Sequence, residues 1–169
     1  MEGRTVSHSE ITMSQPMMPH QANAAGAVHG GEIMKLMDNA AGVVAVRHCH
    51  SYAVTARVDG INFFRPIRVS NLVTVHAYLT FVGRSTMDMR VEVVVEDIFK
   101  EVQHHALTAH FIMVAVDEKG KPKEVPPLIL SSDKERKYWE LGKKRYNSCR
   151  GDILAGEDDY RVCREDALF

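Results

Sequence analysis

Residues 32–48 read EIMKLMDNAAGVVAVRH, and this stretch decides the fold. Its apolar stripe recurs at intervals of four, four, three and four residues, which places the stripe along one side of an α-helix. The stripe consists of Ile33, Met37, Ala41, Val44 and His48, and further apolar positions are Leu36, Ala40, Val43 and Val46. A helix that is apolar nearly all round is normally buried. The sequence therefore predicts a buried central helix over residues 32–48.

After the helix, apolar and polar residues alternate with a period of two up to about residue 116, which is typical of half-buried strands. The runs lie at residues 52–64, 72–82, 87–95 and 107–115, and a shorter run at residues 11–18 contains Pro16, which suits an edge strand. Short connections such as Gly83-Arg84-Ser85 indicate antiparallel pairing. We predict an α+β domain in which a curved antiparallel sheet wraps around the central helix.

The alternation also assigns the side chains of each strand to faces. In the 72–82 run the predicted inward face is Val73, Val75, Ala77, Leu79 and Phe81. In the 52–64 run, Val54, Ala56 and Val58 share one face, opposite Thr55, Arg57 and Asp59. Both assignments assume that successive side chains alternate strictly between the two faces of the sheet.

Composition excludes several classes of protein. The chain has 169 residues, 45% hydrophobic and 25% charged, and its net charge of -1 argues against a nucleic-acid-binding face. Three cysteines (Cys49, Cys149, Cys163) give no paired disulfide pattern. No apolar run approaches the ~20 residues of a membrane span, and no signal-peptide core is present. We expect a reduced, cytoplasmic protein with no membrane and no nucleic-acid partner.

The C-terminal part differs in character from the rest. Ser132-Asp133-Lys134-Glu135 matches a capping box and predicts a helix to about residue 146. Residues 131–150 carry a net charge of +4 and residues 151–169 a net charge of -4. Trp139 and the basic residues Lys143, Lys144 and Arg145 are either a phosphate-binding surface or, more commonly, a solvated helix face.

Asp38 is the most informative candidate residue. On a helical wheel it falls among Met34, Ala41, Gly42 and Ala45. A carboxylate in such surroundings is costly unless it is stabilised, and burial would raise its pKa. The carboxylate is therefore either a chemically active group or a structural one, held by a neighbouring strand or by Lys35.

Gly30 and Gly31 stand where the helix begins. Backbone N–H groups in a first helical turn lack partners, and without a Cβ a ligand carbonyl can approach them closely. The pair can form an oxyanion hole, or it can simply make a tight turn. Neither a Walker loop nor a dinucleotide fingerprint is present.

The sequence gives little support for a metal site or for a catalytic cysteine or serine. His48-Cys49-His50 and His104-His105 have no further ligands at metal-site spacing, so we expect no metal. Cys49 has no evident base, and no Gly-x-Ser-x-Gly elbow occurs.

Three motifs follow one another along the chain. They are Asn23 with Gly26, Val28-His29-Gly30-Gly31, Ile33-Met34-Lys35, Met37-Asp38 and Ala41-Gly42; Val58-Asp59-Gly60-Ile61-Asn62-Phe63 with Pro66-Ile67; and Gly83-Arg84-Ser85-Thr86-Met87. Over residues 8–120 this order resembles the acyl-CoA thioesterase family of the hotdog fold, an antiparallel sheet around a long helix. We expect a hotdog domain at residues 8–120, followed at 121–169 by a linker, a basic C-terminal helix and an acidic tail.

The resemblance implies hydrolysis of acyl-CoA to CoA and a free acid. The aspartate matching Asp38 acts in the family as general base or as nucleophile. The asparagine matching Asn23 orients water or substrate across a dimer interface. The resemblance further implies that the backbone N–H of Gly31, together with that of Gly30, stabilises the oxyanion. A homodimer would hold two complete sites, and the family often forms hexamers as trimers of dimers.

Substrate contacts are expected at three further places. His29 lies in the first motif and Asn62 in the second, and Arg65 follows Asn62 by three residues. Arg65 is expected to bind a phosphate of CoA. Arg84, Ser85 and Thr86 offer N–H groups and hydroxyls to pantetheine or phosphate. Neither a metal nor an organic cofactor is expected, apart from coenzyme A itself as part of the substrate.

Two other functions remain open. A hotdog hydratase or dehydratase would need a catalytic histidine, for which His29 is the candidate. An acyl-CoA sensor would carry a DNA-binding module, for which about ten residues before the first strand leave no room.

Overall fold

The computed structural model describes the backbone of residues 1–154 and the side chains of residues 1–148. The predicted acidic tail and the side chains of Cys149 and Cys163 are therefore not among the described residues. The strands are β1 (Arg4–Thr5), β2 (Ile11–Pro16), β3 (Tyr52–Asp59), β4 (Leu72–Val82), β5 (Thr86–Asp97), β6 (Val102–Val116) and β7 (Leu128–Ile129). The helices are α1 (Val6–Ser9), α2 (Gly30–Cys49) and α3 (Asp133–Leu154), with a 3₁₀ turn at Pro19–Gln21.

Five strands form one antiparallel sheet in the order β2-β4-β5-β6-β3, and α2 packs against one face of it. This confirms the predicted α+β architecture. Strands β2 and β3 are the two edges of the sheet. The short strands β1 and β7 pair in parallel and so join the N-terminal arm to the linker before α3.

The alternation predicted for residues 87–95 and 107–115 is confirmed in β5 and β6, whose apolar positions face the core. Their side chains are at most 3% exposed; they are Met87, Met89, Val91, Val93 and Val95, with Leu107, Ala109, Phe111, Met113 and Ala115. All five residues of the α2 stripe are fully buried against them. Because both periodicities bring their apolar sides to one interface, helix and sheet share a single core.

The prediction that α2 is buried all round is wrong on one side. Met34 and Val46 are 41% and 47% exposed, and Asp38 lies between them on the same exposed side. One sheet covers only one face of a helix, so the second apolar face of α2 has no cover within the described chain.

The described sheet has three register shifts, and two of them move side chains to faces that regular alternation does not predict. In β4, Leu79 pairs with Met89 but Phe81 pairs with Asp88, so Thr80 is an extra residue. Phe81 therefore points to the outer face of the sheet, where its ring lies 5.4 Å from that of Trp139 in α3. Its prediction as an inward residue is wrong because a bulge reverses the alternation.

The second bulge lies in β3, where the register shifts between Thr55 and Arg57. Ala53 and Val58 pack on the core, and Thr55 contacts α2. The prediction that Val54, Ala56 and Val58 share a face opposite Thr55 is therefore wrong. Strand β3 also ends at Asp59, before the predicted residue 64, because Gly60 turns the chain with φ +74°.

The predicted start of α3 is confirmed with Ser132 as its N-cap, although the Glu135 carboxylate accepts the N–H of Ser131 and not that of Ser132, so only half of the predicted capping box forms. The Glu135 N–H donates to Ser132 Oγ over 3.2 Å. The helix is not merely solvated, since it packs on the outer face of the sheet over β4. Burial there raises the pKa of the Tyr78 phenol.

The C-terminal end of α2 is capped by Arg4, whose Nη1 donates to the carbonyls of Arg47 and His48. Arg4→Ala should lower the free energy of unfolding by about 1–2 kcal/mol, because those carbonyls lose a charged donor. The expected fall in Tm is roughly 2–8 °C, measured by thermal denaturation. Lys35→Ala, an exposed change on the same helix, is the control; equal Tm values for the two variants would contradict the capping role.

Candidate active site

Asp38 is the ninth of the 20 residues of α2 and is exposed in the single chain. Its Oδ1 accepts a hydrogen bond of 2.6 Å from Thr55 Oγ1 on β3. The expectation of a carboxylate buried within its own chain is thus wrong, since the sheet covers the opposite side of α2. The neighbouring strand, and not Lys35, supplies the partner, and Oδ2 remains able to accept a further hydrogen bond.

Thr55 is a site residue that the sequence did not reveal. Its hydroxyl holds Asp38 across 17 residues of sequence. The signal was hidden because the bulge beside it in β3 moves Thr55 to the helix side of the sheet. A short hydrogen bond to a carboxylate restricts the orientation of that group, so Thr55 positions Asp38.

For the thioester hydrolysis that the sequence motifs imply, Thr55→Val should lower kcat by about tenfold, because Asp38 loses a hydrogen bond made to a charged group. Thr55→Ser keeps the hydroxyl and should stay within about twofold of the wild type. Steady-state thiol release from acyl-CoA measures both. A Thr55→Val enzyme with unchanged kcat would show that Asp38 needs no such support.

The beginning of α2 is capped by a side chain. His29 Nδ1 accepts the Gly31 N–H at 3.0 Å, and the His29 N–H donates to the Gln21 carbonyl at 2.8 Å. Within the single chain the Gly31 N–H therefore already has a partner, and an oxyanion can use it only when the His29 ring turns away. A Cβ on Gly30 would meet the Phe63 ring at 3.4 Å, so glycine permits a close contact there.

Asn23 organises the loop before α2. Its Oδ1 accepts the N–H groups of Ala25 and Ala27 at 2.9 and 3.2 Å, and Gly26 adopts φ +74° within the same loop. The side-chain oxygen is committed to these bonds. Only the Nδ2 amide group can therefore donate to a ligand.

Asn62 and Arg65 lie with Phe63 and Phe64 in an exposed loop after β3. The contact of Phe63 with Gly30 brings this loop beside the N-terminal end of α2. The predicted residues of the first two motifs other than Asp38 thus gather around that end: Asn23, His29, Gly30, Gly31, Asn62 and Arg65.

The third motif lies on the opposite side of Asp38 from the first two, toward the C-terminal end of α2, and its Thr86 shares a row of paired strand residues with Val54, next to Thr55. Ser85 accepts the Ala115 N–H at the end of β6, and its side chain is only 3% exposed, so its hydroxyl is not presented at the surface. Arg84 is exposed and pairs with Glu124 at 3.0 Å. Ser51, just after α2, donates to the carbonyl of Val116, the residue after Ala115. Because Ser85 bonds to Ala115, the third motif is close to the C-terminal end of α2.

One chain therefore does not assemble all the predicted residues. The residues of the first two motifs other than Asp38 lie around the N-terminal end of α2, and the third motif lies toward its C-terminal end. At 20 residues the helix is about 30 Å long. Asp38 and Thr55 lie near the middle.

A groove of about 870 Å³, which the sequence did not indicate, adjoins the C-terminal end of α2. Its lining combines helix, strand and hairpin residues: Val46, His50, Ser51, Tyr52, Asp117, Glu118, Lys119 and Lys123. These residues come from three separate parts of the chain, so no local pattern marks them. The charged lining residues are the lysines Lys119 and Lys123 together with the acidic residues Asp117 and Glu118.

Metal ligands do not cluster within the part of the chain that the structure describes: it contains no group of three or more His, Cys, Asp or Glu side chains suited to a metal. His48 is fully buried and bonds through Nε2 to the Pro126 carbonyl at 2.9 Å, and burial lowers its pKa. Between residues 1 and 154, none of the helices has the length and apolarity required to span a membrane.

Known proteins resemble this chain in sequence. The family model of the thioesterase superfamily matches residues 25–100. The cytosolic acyl coenzyme A thioester hydrolase of Mus musculus is 39% identical over 147 residues, which are 86% of this chain and 39% of the mouse protein. The uncharacterized acyl-CoA thioester hydrolase YkhA of Bacillus subtilis is 31% identical, over 86% of this chain and 85% of that protein. The chain thus spans about two-fifths of the mouse relative but most of the bacterial one.

Solved structures agree with this result. An acyl-CoA hydrolase from Staphylococcus aureus, solved with butyryl-CoA and CoA, superposes with a TM-score of 0.81 at 25% identity, covering 91% of this chain and 94% of that one. An apo-hexameric acyl-CoA thioesterase superposes with a TM-score of 0.85 at 26% identity, covering 93% and 100%. Sequence motifs, hotdog architecture and both comparisons agree that this chain belongs to the acyl-CoA thioester hydrolases of the thioesterase superfamily.

Proposed function

We propose that this protein hydrolyses the thioester of fatty acyl-CoA to free CoA and a carboxylic acid. The observation that carries the proposal is the Asp38 carboxylate, held by Thr55 at 2.6 Å on the exposed apolar side of α2. A carboxylate poised on an apolar face suits the activation of water next to an acyl chain. The names of the mouse and B. subtilis relatives support the same reaction.

In this mechanism Asp38 acts as general base on water, or attacks the thioester carbon itself as nucleophile. Water supplies the hydroxyl of the acid and the proton of the released thiol, so the reaction needs no metal and no organic cofactor. Because a thioester is already reactive, one positioned base at ~10²–10⁴-fold and oxyanion donors of comparable effect suffice. Asn23 Nδ2 and the backbone N–H groups of Gly30 and Gly31 are the proposed donors.

The complete site needs two chains. Thr55 is the fourth of eight residues in the edge strand β3, and it contacts the middle of α2. A two-fold axis near this contact would pair β3 with β3 in antiparallel fashion and set the two α2 helices side by side in opposite directions. Such a dimer would cover Met34 and Val46, which are half-exposed in the single chain.

Because the two α2 helices of this dimer run in opposite directions, the candidate residues that lie apart in one chain come together across the interface. The Asn23 and Gly31 end of one α2 then approaches the C-terminal end of the other, with Asp38 near the axis. Each homodimer thereby has two equivalent sites at its interface. A CoA moiety there could reach Arg65 from one chain, and Arg84, Thr86 and the groove lysines from the other.

Assembly beyond the dimer is proposed as a trimer of dimers, since a thioesterase that superposes with this chain was solved as a hexamer. The mouse relative is named a cytosolic enzyme, which supports a cytoplasmic location for this one. Neither nucleic acid nor a membrane is a proposed partner.

Free-thiol release from a panel of short, medium and long acyl-CoAs tests the proposal. Turnover of at least one chain length is expected. If no thioester releases thiol, hydrolysis is refuted, and hydration of crotonyl-CoA is the next assay.

A further inference from the structure

The helix α3 docks closely on the outer face of the sheet, near the third motif. The rings of Trp139 and Tyr146 lie 5.4 and 5.3 Å from that of Phe81, and Tyr138 lies 6.0 Å from Tyr78. The thioesterase family model ends at residue 100 and does not include this helix. Its three aromatic side chains share one side of the helix, so α3 has a defined orientation on the sheet.

Gly142 allows α3 to come this close. A Cβ at this position would lie 2.6 Å from Phe81 Cβ and 2.9 Å from Asp88 Oδ2. Such distances are shorter than van der Waals contact, and the Phe81 carbon is too near the backbone to move aside easily. Any side chain at position 142 must therefore push α3 away from the sheet.

An ion pair fixes α3 along its axis. The Arg145 guanidinium donates to Asp88 Oδ2 over 2.7 and 3.2 Å, and Asp88 is only 3% exposed. His110 Nδ1 lies 3.5 Å from the other oxygen. A buried carboxylate with one guanidinium partner strongly favours the position of α3 in which that partner is present.

This docking places Tyr146 on the turn between β4 and β5. A Cβ on Gly83 would meet the Tyr146 ring at 3.4 Å, and the Gly83 N–H closes the turn on the Thr86 carbonyl at 2.8 Å. The turn is also held by the Val125 N–H on the Arg84 carbonyl and the Ala115 N–H on the Ser85 carbonyl. It is therefore clamped by α3, by the linker and by β6.

We propose that α3 is a positioning element for coenzyme A recognition: through Gly142, Arg145 and Tyr146 it sets the conformation of the turn 83–86, which presents Arg84 and Thr86 to the CoA moiety. This rests on the proposed function. The helix acts through the turn and contacts neither the thioester nor Asp38. Its loss should therefore weaken the binding of the CoA part of a substrate and leave bond cleavage intact.

Tyr146→Ala and Gly142→Ala test this proposal, with Lys137→Ala on the exposed side of α3 as control. Each enzyme is assayed with an acyl-CoA and with the same acyl group on N-acetylcysteamine, which lacks most of pantetheine and the nucleotide. We expect both test variants to raise KM for acyl-CoA by about five- to tenfold with kcat within about twofold. For the truncated thioester kcat/KM should stay unchanged, and Tyr146→Phe, which keeps the ring, should restore the KM.

Equal losses on both substrates would show that α3 serves only stability, and an unchanged KM for acyl-CoA in a folded Tyr146→Ala enzyme would show that it does not act on the turn. Either result overturns the proposal. If Gly142→Ala fails to fold, Tyr146→Ala decides alone, because removing its ring inserts nothing into the interface. Failure of the proposed function is distinct, since the wild type would then hydrolyse neither thioester.

Discussion

Asp38→Asn is expected to lower kcat for acyl-CoA hydrolysis by ~10²–10⁴-fold while the fold stays intact. The amide keeps the size of the side chain, and its oxygen can still accept the Thr55 hydrogen bond. It can neither take a proton from water nor attack a thioester carbon. Because Asp38 is exposed in the single chain, the variant should lose activity without losing stability.

Thiol release over the acyl-CoA panel measures the effect, and thermal denaturation checks the fold. The matched control is Asn39→Ala, a change at the neighbouring exposed position of α2, which should keep activity within about twofold. Turnover of Asp38→Asn within about tenfold of the wild type would remove Asp38 from the chemistry and leave it the structural role of joining α2 to β3.

Mixing two inactive variants should restore activity. Asn23→Asp keeps the side-chain oxygen that holds the 23–27 loop and removes the Nδ2 donor, so alone it should lose most activity. Asp38→Asn alone is inactive for the reason given above. When the two are co-expressed in equal amounts, a site that takes Asp38 from one chain and Asn23 from the other is intact in about a quarter of cases.

The expected activity of the mixture is therefore about a quarter of the wild-type value, far above either variant alone. A site contained in one chain gives another result, because every chain in the mixture carries a defect and no activity returns. Each variant co-expressed with itself supplies the baseline. A mixture no more active than that baseline would contradict the shared site.

Much of the fold followed from local patterns. The stripe from Ile33 to His48 and the alternation in β5 and β6 predicted which side chains are buried, and Ser132 and Glu135 predicted the start of α3. These features depend on residues a few positions apart, so they can be read without knowing the partner. The same reasoning failed at Phe81 and Thr55, where a bulge reverses the faces of a strand and leaves no mark in its own alternation.

For the candidate site, too, the residues were predictable from the sequence but their contacts were not. Asp38, Asn23 and the glycines at the start of α2 were identified as candidates from their residue types and motifs. Their surroundings were not: Asp38 is exposed, the Gly31 N–H is bonded to His29, and the Asn23 oxygen is occupied by its own loop. Hydrogen-bond partners depend on which groups the folded chain brings within about 3 Å, and sequence spacing does not report this.

The sequence by itself determined the family, the helix in its sheet and the candidate chemistry, because apolar periodicity and short motifs are local properties of a chain. Only the tertiary structure decided that Thr55 holds Asp38, that α3 reaches the turn at Gly83, and that the candidate residues of the proposed site lie toward opposite ends of α2. The reason is physical: these contacts join distant segments, and their geometry follows from packing the whole core.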